Sequence, residues 1–488
     1  MPVTPEQIAV ALSAGIFCFL VLFLAAYRPV IFLGFFFILF TLVWRTASMA
    51  FIDLTGPVWS SQTLRYIGPG LATPLYVLAY CATLVPFLIV LRPSAIRTWP
   101  DGIDRRQAPQ GMLTLSSLTV VLSMLFLAYL FLDMLRHGSI PLFAHIERYT
   151  YTAERAGAAH RWLATYGNFL AFWWGLMFAA ERLRNDRLDL RYLGLLATLL
   201  GYMFLAGNRF SAFYSLSSFF VIPLSAVFVQ QAVGRSGAPF HWVVRMFGRR
   251  EIATFGAGAL LVVLLAAGAI FINLVSVRGY EGEQVLSQFW ERVLVQPSEL
   301  GWISYERVFL HNQWQPDPVY DFLFQSPLDP NRNTSPQYLM LQTIGEPRTS
   351  EHLRAGVQLA GGFPEIFFEL FGPIYAWPFL LGSGCIAALL TALIVKGTIQ
   401  GRYASAFLAL YVLFGFDVMY IGGMLNFVIA QSYWIKIAAL AIALLLERSL
   451  AGSGLPLLPW SIAPIPRPCW LVAASRSIRL RFQPQARQ

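Results

Sequence analysis

Charge is what this sequence has least of. Asp, Glu, Lys and Arg make up 12% of its 488 residues, against about 25% in a soluble domain. That shortage excludes a soluble enzyme and a disordered chain. Lysine is nearly absent, with Lys396 and Lys436 the two examples. The four cysteines, Cys18, Cys81, Cys385 and Cys469, fall in apolar runs or the C-terminal tail. None lies in the long loop described below, so no disulfide or zinc framework can hold that loop together. Walker A, HExxH, GxSxG, potassium-filter and voltage-sensor patterns are all missing, which removes the simplest ATPase, metalloprotease, serine-hydrolase and channel readings. No His/Cys cluster has metal-ligand spacing. The start, MPVTPEQ, has no positive segment before its first apolar run. A cleaved signal peptide is therefore not expected, and the first run should remain a helix.

Apolar residues fill the space that charge leaves. They form 57% of the chain, and aromatics alone form 15%. Runs of about 20 apolar residues recur from end to end, the length needed to cross a bilayer as a helix. The expected fold is an all-α, polytopic membrane protein of about eleven helices, at 7–27, 30–50, 68–91, 112–135, 162–180, 192–207, 210–230, 252–277, 371–395, 403–422 and 424–446. Basic residues cluster after the third, fifth, seventh, ninth and eleventh runs, for example Arg182, Arg184, Arg187 and Arg191 after the fifth. All these segments then share one side, which the positive-inside rule makes cytoplasmic. The N-terminus is expected outside and the C-terminus inside. The same placement explains the net charge of +10 without nucleic acid.

The chain accordingly divides into 1–277 with helices one to eight, a large outer loop at 278–370, helices nine to eleven at 371–446, and a Pro/Arg-rich cytoplasmic tail at 447–488. The loop carries twelve acidic residues against six arginines, as suits the outer face. Trp290, Trp302, Tyr305, Phe309, Trp314, Tyr320 and Phe322 equip it to pack as a cap or to face lipid.

Four stretches concentrate polar chemistry at that face. LAGNRFSAFYS at 205–215 turns between two apolar runs at a Gly-Asn-Arg corner. Arg209 there can offer its planar fork to phosphate, or snorkel to headgroups. NLVSVRGYEGE at 273–283 presents Arg278 at the start of the loop. The stretch 137–162 holds Arg148, Arg155, Arg161, His145 and His160. Arg148 and Arg155, seven apart, share a face if it is helical, and a solvated surface helix would look the same. GGFPEIFFELFGPIY at 361–375 sets Glu365 and Glu369 four apart. It fits either a carboxylate poised to take a proton or an interfacial amphipathic helix. Within the apolar runs, Asp417 and Lys436 raise the question of ion coupling, but their depths differ.

The Gly-Asn-Arg corner, the SIPLF segment with its following arginines, the single large outer loop and the GGFPEIFFELFGPIY lead-in together resemble the O-antigen polymerase family, the Wzy-type oligosaccharide repeat-unit polymerases related to O-antigen ligases. The arginine-to-glycine spacing of some members is not met from Arg278, since the eleventh residue after it is Phe289. The resemblance implies a GT-C-like fold in a bacterial inner membrane. It implies a glycosyltransferase without metal or cofactor that joins undecaprenyl-pyrophosphate-linked oligosaccharides at the periplasmic face. A chain-length regulator and a flippase would be its pathway partners. Arg209 and Arg278 would hold pyrophosphate, with Arg148, Arg155 and Arg348 in support, and Glu365, Glu369 and His352 would be candidate bases. The competing functions are a lipid-linked oligosaccharide flippase or other transporter, the ligase, and a non-enzymatic assembly subunit.

Overall fold

The computed structural model describes residues 4–97, 112–136, 140–144, 150–185, 189–208, 210–226, 283–324, 333–354, 361–400 and 402–452, with isolated positions elsewhere. The described residues are overwhelmingly helical. Helix α1 (Pro5–Tyr27) begins at a capping box in which the Thr4 and Gln7 side chains each accept from the other's backbone N–H. That arrangement satisfies two otherwise orphaned donors. Then follow α2 (Pro29–Gly34), α3 (Phe36–Thr55), α4 (Ala72–Val90), α5 (Met112–Arg136), α6 (Ala158–Asn185), α7 (Leu190–Leu205) and α8 (Phe210–Val221).

Among the described residues, six helical segments are long and apolar enough to cross a membrane: Pro5–Tyr27, Ile38–Thr55, Ala72–Ile96, Ser117–Arg136, Glu365–Ile399 and Ala404–Gly422. In that sense the chain is a predominantly helical, multi-pass membrane protein. The expected run 252–277 lies outside the described residues apart from three positions. The expected single helix at 30–50 is instead two, parted at Phe35. Gly34, just before the break, lies against the Thr391 side chain with no room for a Cβ. The second piece runs five residues past the expected end.

Between the third and fourth helices, β1 (Val58–Ser60) and β2 (Arg65–Ile67) form an antiparallel hairpin in which Trp59 faces Tyr66. The long loop is also folded. It contains α9 (Glu283–Leu294), α10 (Glu299–Tyr305), a π-helical stretch Glu306–Leu310, α11 (Asp317–Phe324), α12 (Ser335–Ile344) and α13 (Arg348–Arg354). All seven residues of α10 are buried. Together with the hairpin these pieces make a cap over the ends of α3, α4 and α14 (Glu365–Ile399). Helix α15 (Tyr403–Gly422), the single turn α16 (Asn426–Ile429) and α17 (Gln431–Gly452) complete the order.

Helix α14 organises the bundle, packing along both α4 and α15. It is kinked at Gly372, whose φ of +77° suits glycine. The seven residues before the kink lie within the cap and the rest run down the bundle. Close helix contacts depend on small residues, as is usual in membranes. A Cβ added at Gly384 would overlap the Thr83 carbonyl of α4, and one at Gly175 the Phe220 carbonyl of α8. In both cases the obstacle is backbone, which cannot swing aside. Gly384→Leu is therefore expected to destabilise by about 1–3 kcal/mol or more through overpacking. The measurement is thermal unfolding of the detergent-purified protein, and an unchanged midpoint would contradict this packing.

Candidate functional site

The polar chemistry gathers in two places. The first is the seam between cap and bundle. Arg45 of α3 is buried, and its guanidinium donates to the Phe363 carbonyl and to Glu365 Oε1. The same carboxylate oxygen accepts from the Gly362 backbone N–H at 2.6 Å. One turn further along α14, Glu369 accepts from Arg307 of the π-helical stretch through both carboxylate oxygens and from Ser304 Oγ at 2.9 Å. Trp314 Nε1 donates to the Glu369 carbonyl at 3.0 Å. Asp53, in the last turn of α3, accepts from the Thr73 N–H and hydroxyl, each at 2.7 Å, and from Trp302 Nε1 at 3.0 Å. Ser298 Oγ donates to the Arg45 carbonyl and Tyr76 Oη to that of Gly301. These bonds all join cap to membrane helix or close a helix end beneath the cap.

Glu365 and Glu369 were expected as candidate bases, and their placement is different in kind. Each has 0% exposure and an arginine partner. A carboxylate that faces no solvent and already neutralises a guanidinium fastens the cap, and it is poorly placed to take a proton from a substrate. Arg45 and Arg307 were not among the expected site residues. Arg45 had a signal in the sequence: it sits inside the expected run 30–50, where a charge without a counter-charge is costly. Arg307 had none, since it lies in a polar loop.

His352 and Arg348, on α13, grip the hairpin. Arg348 Nη1 donates to the Thr63 carbonyl at 2.6 Å, and His352 Nε2 lies 3.3 Å from the Gln62 carbonyl. A carbonyl can only accept, so Nε2 is the donor in that bond. Both side chains remain partly exposed. Arg65 pairs with Glu306 at 2.6 Å, further bracing hairpin against cap.

Glu299 stands apart. It is fully buried, Oε2 accepts from Ser60 Oγ at 2.7 Å, and Oε1 has no hydrogen-bond partner. Burial, reinforced by the charge of Glu291 and opposed by the Ser60 hydrogen bond, pushes its carboxyl up to about 8. It is therefore neutral at pH 7.

The second polar place lies at the ends of α5, α6 and α7. His160 is buried, with Nδ1 2.8 Å from Tyr202 Oη and Nε2 3.2 Å from Thr152 Oγ1. The Leu142 N–H donates to the Leu205 carbonyl at 3.1 Å. Leu142 and His160 thereby tie their segments to the end of α7, just before Gly207, which has a φ of +76°. Arg155 ends a π-helical turn and is exposed, as is Arg161. Arg148, Arg209, Arg278 and His145 lie outside the described residues. In the bundle, Lys436 Nζ sits 4.1 Å above the Tyr411 ring.

Two tests follow from the seam. Arg45→Met strands a buried carboxylate and Glu365→Met strands a buried guanidinium, so each single change should cost about 3–5 kcal/mol. The double variant should recover most of that loss. Losses that simply add would show that the two side chains are not coupled. For Glu299, the folded carboxyl keeps its proton up to about 8, whereas the unfolded one loses it near the ordinary value of 4.5. Stability should thus fall as pH rises between those values, by about 1.4 kcal/mol per pH unit at most. Glu299→Gln should flatten this slope, read as unfolding midpoint against pH.

Residues 329–434 match a family of unknown function, DUF6418. That segment runs from α12 through the kinked α14 and α15 to the start of α17, and so includes both cap-fastening glutamates. No curated protein matches the chain, and no solved structure does.

Proposed function

We propose that this protein is a glycan polymerase of a bacterial inner membrane, joining undecaprenyl-pyrophosphate-linked oligosaccharide repeat units at the periplasmic face. The observation that supports the reading is the pair of contacts Leu142–Leu205 and His160–Tyr202. They tie the segments holding Leu142 and His160 to the end of α7, and in sequence Arg155 and Arg161 flank one side of this junction and Arg209 follows the other. A site for a lipid pyrophosphate needs several cations converging at the membrane boundary, and two separate loops can supply them. A folded cap over the ends of α3, α4 and α14 also suits an enzyme whose substrates arrive at the surface.

In the proposed reaction an acceptor sugar hydroxyl attacks the anomeric carbon of the donor glycan. A new C–O glycosidic bond forms as the bond to the lipid pyrophosphate breaks, and the hydroxyl proton passes to a protein base. Arginines oppose the charge that develops on the pyrophosphate. Of the three candidate bases, His352 has a partly exposed ring whereas both glutamates are buried against arginines, so it is the first to test. The eleven-helix topology, with N-terminus periplasmic and C-terminus cytoplasmic, belongs to the same proposal.

Deleting the gene should leave single repeat units and no long polymer, whereas loss of a flippase would trap lipid-linked units on the inner leaflet. Arg209→Ala should lower polymer formation from purified lipid-linked repeat units by roughly 2–5 kcal/mol in rate, with Arg209→Lys intermediate because the planar fork is lost. Wild-type polymerisation by Arg209→Ala would remove it from the site. For topology, Glu351→Cys and Ser449→Cys in a cysteine-free background should react with an impermeant thiol reagent from opposite sides. Both labelling in intact cells would refute the orientation.

A further inference from the structure

The cap carries a cavity of about 600 Å³ that the seam and the docked loop do not use. It lies between α11 and α12, within the size range of small-ligand sites. Its aromatic members divide by burial. Tyr338 is buried, packing its ring 5.2 Å from Phe322, whereas Tyr320 and Phe324 are 65% and 70% exposed. These two are four apart on α11, so they share one face, and their rings lie 4.5 Å apart as a tilted pair. Around them stand Asp321, Asn333 and Gln342. Among the described residues, no lysine, arginine or histidine lines the cavity.

We infer that this cavity binds a short oligosaccharide. Sugar rings present C–H-bearing faces that stack on aromatic rings, and vicinal hydroxyls that pair with carboxylate and amide groups, each able to make two hydrogen bonds. The lining supplies both kinds of partner. A phosphate or other anionic ligand would be repelled by the Asp321 carboxylate, and none of the described lining residues is a cation. A purely apolar ligand would leave Asp321, Asn333 and Gln342 desolvated without partners. The choice of a glycan deepens the function proposed above and rests on it, naming where a sugar chain is held while it is extended. Asn333, Tyr338 and Gln342 lie within the segment shared with the family of unknown function. The remaining possibility for two exposed aromatics beside a membrane is that they dip into lipid.

The experiment uses full-length protein in nanodiscs. The probe is the oligosaccharide repeat unit released by mild acid from the host's own surface polysaccharide. Saturation-transfer NMR and a titration should show binding to wild type, weakened about tenfold or more by Tyr320→Ala or Phe324→Ala, and weakened also by Gln342→Ala. Both aromatic rings are largely exposed, so the fold should tolerate their loss. Trp290→Ala, an exposed aromatic elsewhere in the cap, should leave binding unchanged. Unaltered affinity in both aromatic variants, or no binding by wild type, overturns the proposal. A spin label at Phe324→Cys that reports lipid-like oxygen accessibility also overturns it, in favour of a membrane anchor. Binding that depends on Tyr320 in a protein that makes no polymer would uphold the cavity and defeat the polymerase reading. Polymer formation by a protein whose cavity variants behave as wild type would do the reverse.

Discussion

The pairing of Arg45 with Glu365 sets the relation between the two halves of this chain. The residues are 320 apart in sequence and both are buried. A guanidinium inside an apolar helix is tolerable only beside a counter-charge, so α3 cannot settle until the lead-in to α14 is in place. The carboxylate likewise needs the arginine and the Gly362 N–H. Such pairs add little net stability compared with apolar residues of similar size. Their stronger effect is to penalise every arrangement in which one partner is missing. A register slip of α14 against α3 would leave two charges stranded, and that penalty singles out one docking of the cap.

Glu369 extends the same logic by one helical turn. Spacing of four puts it on the side of α14 that Glu365 occupies, but its partner belongs to the cap and not to a bundle helix. One helix face thus reads two different elements, α3 through Glu365 and the Arg307 stretch through Glu369. The kink at Gly372 follows directly, so this face can lie in the cap while the remainder of α14 packs on α4 and α15. Asp53 and Trp302 close the far side of the seam. With the cap clamped at several points, His352 and the hairpin it contacts have little freedom to move relative to the bundle.

Much of the architecture was legible in the sequence because helix-length apolar runs and Pro or Gly punctuation are local signals. The start of α1 at Thr4-Pro5 and the end of α15 at Gly422 fall within a few residues of their expected positions. The break at Phe35 was not legible, because it answers to a neighbour: Gly34 lies against Thr391, more than 350 residues away in the chain. The candidate site divides along the same line. The glutamate pair was visible from its spacing, but spacing does not reveal which oxygen meets an arginine from a distant helix. Arg45 could have been flagged as a lone charge in an apolar run. Arg307, Ser304 and Glu299 sit among ordinary loop residues, and their burial comes entirely from tertiary packing. The long loop's wealth of Trp, Tyr and Phe did foretell a packed cap, since a loop that only linked helices would have no need to bury them.

The distribution of polarity within the cap separates its two faces by task. Against the bundle, two buried glutamates each pair with an arginine and Asp53 is held by Thr73 and Trp302, so these groups are committed to holding the cap. Away from it, around Tyr320, Phe324, Asp321 and Gln342, aromatic and polar groups remain available. Desolvation explains why the two cannot be exchanged. A charge pair excluded from water is costly to disturb, so it serves to hold a fixed geometry. A largely exposed ring flanked by amides gives up little hydration to a ligand and can release it again. Fixing the cap by its buried face is therefore what allows its exposed face to be presented in one orientation relative to the bundle.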